Sequence, residues 1–185
     1  MTIALELRGI TKRYVAGIKG CMASADVLRR VDVEVHAGES MAIVGGAGAG
    51  KSTLLLCAAG LIVPDAGDLR WFGDNSRAAA IERATLHFAP GRHAHQCRVP
   101  RRRVNAAPHL HLIDGVDGLA DDVAARLASW IGRRRERGDA VLVAVRDGDV
   151  GSLLASRCVT MRGGQLHGDA RPATAARVAE RIAAR

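Results

Sequence analysis

A chain of 185 residues is long enough for one domain with its own core and too short for two substantial ones. Hydrophobic residues make up 48% of it, yet no apolar run approaches the roughly 18 residues of a membrane-spanning helix. The net charge of +8 favours phosphate-bearing partners such as nucleotides, nucleic acid or an anionic membrane surface. The arginine clusters, Arg98/Arg101/Arg102/Arg103 and Arg133/Arg134/Arg135/Arg137, have no aromatic residues among them to stack on bases, so they read as solvated helix faces and no specific nucleic-acid partner is expected. Cys21, Cys57, Cys97 and Cys158 are scattered without metal or disulfide spacing, and no basic-then-apolar leader opens the chain, so a cytoplasmic setting is expected.

Residues 3–7 and 31–35 alternate apolar with polar, as half-buried strands do, and a segment containing Gly17, Gly20 and Ser24 separates them. They predict an antiparallel edge sheet. Residues 41–44 form a continuous apolar run, followed by Gly45-Gly46-Ala47-Gly48-Ala49-Gly50-Lys51-Ser52-Thr53 and then the helix-like run 54–59. A strand entering a glycine-rich turn and then a helix aims backbone N–H groups and the positive end of the helix dipole at one point, where phosphate oxygens sit. In such a loop Lys51 reaches the β- and γ-phosphates, Ser52 places its hydroxyl on Mg²⁺, and Thr53 lies by the phosphate cradle.

Residues 110–113 and 140–145 are again continuous apolar runs, the mark of parallel strands covered on both faces. Between them Val123, Leu127, Trp130 and Ile131 fall at i, i+4, i+7 and i+8, an amphipathic crossover helix that stops near Gly138. Residues 158–161, Gly163-Gly164 and 165–167 predict a closing hairpin, and 173–185 a C-terminal helix. The fold class is α/β: one domain over residues 1–185, with a mostly parallel core sheet and an N-terminal antiparallel β-subdomain.

Four stretches taken in order carry a family resemblance: Leu5-Glu6-Leu7-Arg8-Gly9-Ile10-Thr11-Lys12-Arg13-Tyr14, Val31-Asp32-Val33-Glu34-Val35-His36-Ala37-Gly38-Glu39, the phosphate loop, and Ala59-Gly60-Leu61-Ile62-Val63-Pro64-Asp65-Ala66-Gly67. This order resembles the ATP-binding subunit of an ABC transporter, a P-loop NTPase, most closely over residues 3–74 and less so over 108–168. The resemblance implies ATP and Mg²⁺ as ligands, with Tyr14, the chain's only tyrosine, stacking on adenine. Pro108 to Asp114 resembles the family's second nucleotide motif, so Asp114 is expected to hold Mg²⁺ through water. The family's next residue is a glutamate that polarises the attacking water, and here it is Gly115. Asp121 corresponds to an aspartate that contacts the opposite subunit, or else caps the following helix. Arg146 stands where the family has a switch histidine; it either contacts a phosphate or is simply solvated, and it cannot alternate between proton donor and acceptor.

Between Phe88 and Pro108 the family has a γ-phosphate-sensing glutamine, a helical subdomain that docks on membrane subunits, and a signature that closes on the partner's ATP. Here Gly91 takes the glutamine position and residues 92–107 leave room for only a shortened remnant. His93, His95 and Cys97 alternate and would converge on a metal only in an extended segment, a weak signal with nothing nearby to set the geometry. His109 and His111 share one face of the strand before Asp114 and are expected to be packed and neutral, since burial disfavours the charged form. The resemblance thus implies an ATP-binding subunit with impaired hydrolysis. Its implied partners are a membrane permease subunit and a second ATP-binding subunit as a dimer mate, and its implied place is peripheral on the inner face of the membrane. Two other readings stay open: a nucleotide-binding regulatory protein uncoupled from transport, or a decaying gene product that folds poorly.

Overall fold

Two sheets account for the described part of the chain, which in this computed structural model is residues 2–18, 21–88, 108–116, 118–119 and 121–170. The first is antiparallel. The strand β1 (Ile3–Ile18) lies between β2 (Cys21–His36) and β4 (Ala66–Trp71), in the order β2-β1-β4. Alternation puts Leu5, Leu7, Val31, Val33 and Val35 on its buried face. The hairpin runs well past the expected strands: Val15 pairs with Ser24 and Gly17 with Met22, so Gly17 and Ser24 lie within the ladder rather than in a connecting loop. Tyr14 and Val15 are exposed there, and without a buried face the outer strand has no reason to show alternation.

The second sheet has six strands in the order β5 (Ala84–Phe88), β6 (Leu110–Asp114), β7 (Ala140–Val145), β3 (Ser40–Val44), β8 (Arg157–Arg162) and β9 (Gln165–Ala170). Every neighbouring pair is parallel except β8 with β9, the expected closing hairpin. All six residues of β7 are buried because both faces of the sheet are covered. On one face Leu142 and Ala144 pack with Leu54 and Leu55 of α1 (Lys51–Ala58) and with the antiparallel sheet. On the other, Val141, Val143 and Val145 pack with Ile131 and Leu127 of α3 (Asp121–Glu136) and Leu154 of α4 (Gly148–Leu154). The periodicity read for 123–131 is therefore the inward-facing stripe of α3, with Ile131 buried and Val123, Leu127 and Trp130 half-buried.

Four elements carry little sequence signal. β4 is mostly exposed, β5 is short and half-buried, and α4 and α2 (Arg77–Arg83) are each two turns long. The short helices are held by capping: Ser76 Oγ accepts from Ala79 N–H at 3.2 Å, and an Asp147 carboxylate oxygen accepts from Asp149 N–H at 2.8 Å. The remnant over 92–107, Gly91, the trio His93, His95 and Cys97, and the C-terminal helix over 173–185 all lie outside the described residues.

Candidate functional site

Strands β3, β6 and β7 end at the same edge of the parallel sheet, and this edge carries the residues singled out by their motifs. Val44 pairs with Val145, and Gly45 N–H donates to the Val145 carbonyl at 3.0 Å, so the glycine loop begins where β7 ends. Ile113 pairs with Val143, which sets Asp114 at this edge, one strand away from the loop. Crevices at the carboxyl ends of parallel strands are where α/β sheets bind ligands.

The loop wraps its own lysine. Lys51 is only 8% exposed, and its Nζ donates to the carbonyls of Gly45 at 2.6 Å and Gly46 at 2.9 Å. Burying an ammonium demands such partners. Gly50 caps α1 at φ 105°, a conformation L side chains rarely adopt, and a Cβ there would sit 2.6 Å from the Val27 carbonyl oxygen. No side chain caps α1 and no acidic residue lies in its first turn. The positive end of the helix therefore faces the loop uncompensated by any carboxylate of its own first turn, as suits an anion site. Ser52 is exposed at this end and Thr53 half-buried.

Tyr14 is 41% exposed on the outer part of β1, paired with Ala25 of β2. Val27, two residues from Ala25, presses its carbonyl against both Gly50 and Gly164, at 2.6 and 2.5 Å from where their Cβ atoms would be. Gly164 N–H also donates to the Ala49 carbonyl at 3.1 Å. The hairpin that carries Tyr14 is thus seated on the phosphate loop through Val27 of β2 and the turn at Gly164, contacts the motifs alone do not reveal.

Asp114 accepts from Gly115 N–H at 2.9 Å through its own carboxylate, and Gly115 is exposed at φ 78°. Arg146 is exposed just beyond β7, and Asp121 is the first residue of α3. Below Asp114 lies a polar cluster that sequence reasoning saw only in part. His109 and His111 are buried, their rings 5.0 Å apart, and burial pushes both imidazoles down to about 4. Their neighbours come from other strands and were not anticipated. Thr85 Oγ1 lies 2.8 Å from His109 Nε2, His87 Nε2 lies 3.2 Å from His111 Nδ1, and the Asp139 carboxylate accepts from His109 N–H at 3.0 Å and sits 3.3 Å from His111 Nε2. Among the described residues no three His, Cys, Asp or Glu side chains are placed to hold a metal. A cavity of about 260 Å³ beside this cluster is lined by Phe88, Ile113, Val116, Leu119, Leu127 and Trp130; being apolar, it suits no phosphate.

A buried lysine in a glycine loop, at the carboxyl edge of a parallel sheet flanked by an antiparallel one, defines a phosphate-loop nucleotide-binding cassette. The ABC transporter family model matches residues 28–149, and the chain belongs to that family. It is 37% identical over 133 residues to the lipoprotein-releasing system ATP-binding protein LolD of Ruegeria sp. (strain TM1040), covering 71% of this chain and 52% of that protein. It is 44% identical over 71 residues to the macrolide export ATP-binding/permease protein MacB of Nitrosomonas europaea, covering 38% of this chain and 10% of that one. The chain therefore spans about half the length of the first relative and about a tenth of the second.

Solved structures share the fold. The ATP-binding cassette MJ0796, in a dimer bound to ADP and Pi, superposes with a TM-score of 0.68 at 16% identity, covering 91% of this chain and 99% of that one. The cbiO1 protein from Clostridium perfringens, part of the ABC transporter complex cbiONQ, gives 0.69 at 17% identity, covering 100% and 94%.

Proposed function

We propose that this chain is a single ATP-binding domain that holds Mg-ATP on the 45–53 loop and hydrolyses it slowly or not at all. The observation carrying the binding half is the loop itself, whose carbonyls hold the Lys51 ammonium in place at the uncapped start of α1. In this reading Lys51 meets the β- and γ-phosphates, the N–H groups of residues 46–53 cradle them, and Tyr14 supplies a face for adenine. Ser52 and Asp114 hold Mg²⁺, which when bound neutralises charge on the phosphate oxygens.

The hydrolytic half rests on the residue just past β6. Gly115 has no side chain to orient water, and a missing general base typically costs about 10²–10⁴ in rate. Its φ of 78° adds a second obstacle to simple repair, because an L residue there bears roughly 1–2 kcal/mol of strain. Arg146, which stays charged, supplies no proton relay in its place.

As part of a transporter the chain would sit at the inner face of the membrane beside a permease subunit and a second ATP-binding subunit. LolD is named as part of a lipoprotein-releasing system, MacB as an ATP-binding/permease protein and cbiO1 as part of an ABC transporter complex, which supports this reading. One observation favours the regulatory alternative: the chain has only residues 89–109 between β5 and β6, where the resemblance calls for a helical docking subdomain.

The deciding experiment pairs calorimetric titration of Mg-ATP with steady-state phosphate release at saturation, using Lys51→Ala as the contamination control. Saturable binding with little turnover is expected, and Gly115→Glu should recover little. Robust turnover by the wild type that disappears in Lys51→Ala would overturn the hydrolytic half. Equal affinity in both proteins would overturn the binding half.

A further inference from the structure

The ladder between β1 and β4 stops at Thr11 paired with Ala66, yet β1 continues outward to Tyr14, and among the described residues no strand pairs with it on that side. Asp65 takes the place of the missing strand. Its N–H donates to the Thr11 carbonyl at 2.8 Å, and its carboxylate accepts from Arg13 N–H at 2.6 Å and from Lys12 Nζ at 2.8 Å. Lys12 Nζ also donates to the Val63 carbonyl at 2.9 Å and lies 5.9 Å from the centre of the Tyr14 ring. One carboxylate therefore grips both the backbone immediately before Tyr14 and the cation beside its ring.

The other end of this grip leads back to the phosphate loop. Asp65 closes the segment that leaves α1, and that segment is tied down: Gly60 N–H donates to Cys57 O at 2.9 Å, and the N–H groups of Leu61 and Ile62 donate to Leu56 O at 3.0 and 3.2 Å. On the opposite edge of β1 the strand β2 is irregular at Val27, the residue whose carbonyl is wedged against Gly50 and Gly164. Tyr14 is thus referenced to the phosphate loop from both sides, through Val27 on β2 and through α1 and Asp65 on the outer edge. On the β2 side the contact is backbone packing, which no side-chain change removes. On the outer side the backbone bond from Asp65 N–H reaches only Thr11 and Val63 holds only the Lys12 side chain, so the one bond to the backbone next to Tyr14 that a side chain supplies is from the Asp65 carboxylate to Arg13 N–H.

We propose that Asp65 is a positioning residue for nucleotide recognition, holding Tyr14 at the base's distance from the phosphate loop, so that it governs the base-dependent part of the affinity and leaves the phosphate-dependent part alone. This rests on the reading of Tyr14 as the adenine platform. An aspartate that merely closed the loop after α1 would, on removal, loosen the whole region and weaken every ligand of the phosphate loop together.

The test measures binding of Mg-ATP and of Mg-tripolyphosphate, which has the phosphates without the base, to the full chain carrying Asp65→Ala, Tyr14→Ala or both. Asp65→Ala is expected to weaken ATP by about fivefold to tenfold, within the range that base stacking supplies, and to leave tripolyphosphate unchanged. The double variant should bind ATP no more weakly than Tyr14→Ala alone, since both changes act on one contact. A parallel loss of tripolyphosphate affinity, or additive losses in the double variant, would overturn the proposal. If Tyr14→Ala weakens ATP while Asp65→Ala does not, the proposal fails and the base platform stands; if Tyr14→Ala has no effect, both fail. Asp65→Asn keeps the shape and one acceptor oxygen, and covers the case of an alanine variant that does not fold. It should lower ATP affinity about twofold or more with tripolyphosphate unchanged, and a wild-type ratio of the two affinities would overturn the proposal.

Discussion

At the scale of single residues, the glycines of the loop are not equivalent. A Cβ on Gly45 would meet the Met161 carbonyl oxygen at 2.4 Å, whereas one on Gly46 would meet nothing within 4 Å. Backbone cannot move aside as a side-chain tip does, so Gly45→Ala is expected to cost about 1–3 kcal/mol of stability, and Gly46→Ala close to none. Urea unfolding of the two variants checks this, and equal midpoints would contradict it. Lys51 differs again, because its ammonium is held by the loop carbonyls of Gly45 and Gly46. Lys51→Ala should leave the melting temperature within a few degrees of wild type while weakening Mg-ATP at least about tenfold, as loss of a charge-assisted contact does, read by calorimetry. Tyr14→Ala should lose about 1–3 kcal/mol of ATP affinity, the range for base–aromatic stacking.

Among the elements, the β5–β6 pair carries a pH dependence of its own. His109 and His111 face Thr85 and His87 across that pair, with Asp139 from the turn before β7 and Trp130 and Arg134 from α3 closing the cluster. Burial dominates over the nearby carboxylate, so both imidazoles titrate near 4 in the folded chain against an ordinary value of 6.5. The unfolded chain then binds more protons between those values, and stability rises with pH across that window and is flat above it. The melting temperature is expected to fall by several degrees from pH 7 to pH 4.5, and His109→Gln/His111→Gln should flatten that slope. An unchanged slope in the double variant would assign the acid sensitivity elsewhere. The short helix α2 makes a simpler case: Ser76→Ala removes its cap and should cost about 1 kcal/mol, measurable by thermal unfolding.

For the molecule as a whole, ligand and fold are linked. The loop that would hold nucleotide is bonded to β7 through Gly45 and to the β8–β9 turn through Ala49, and it packs against the outer hairpin at Gly50, so occupying it bears on both sheets at once. Mg-ATP at a hundred times its dissociation constant should stabilise the folded state by about 2.7 kcal/mol, or roughly 5–10 °C for a chain of this size. Thermal denaturation with and without Mg-ATP reads this directly, and the shift should vanish in Lys51→Ala. A shift that survives in the variant would place the nucleotide away from the loop.

Much of this architecture is written in local pattern. The apolar runs at 41–44 and 140–145, and the run at 110–113 broken only by His111, identify strands buried on both faces, because such strands need not alternate apolar with polar. The glycine spacing before Lys51 identifies the loop, since the backbone must turn with positive φ at Gly48 and Gly50. What the sequence could not show is how separate elements meet. The partners of His109 and His111 come from β5, α3 and the turn before β7; the length of the β1–β2 hairpin is set by exposed pairing without pattern; and Asp65, named only within the family-like stretch 59–67, caps an edge of β1 that no described strand covers. Local periodicity reports which face of an element is buried, whereas these contacts join residues distant in sequence, and only the packing of two sheets around α1 brings them together.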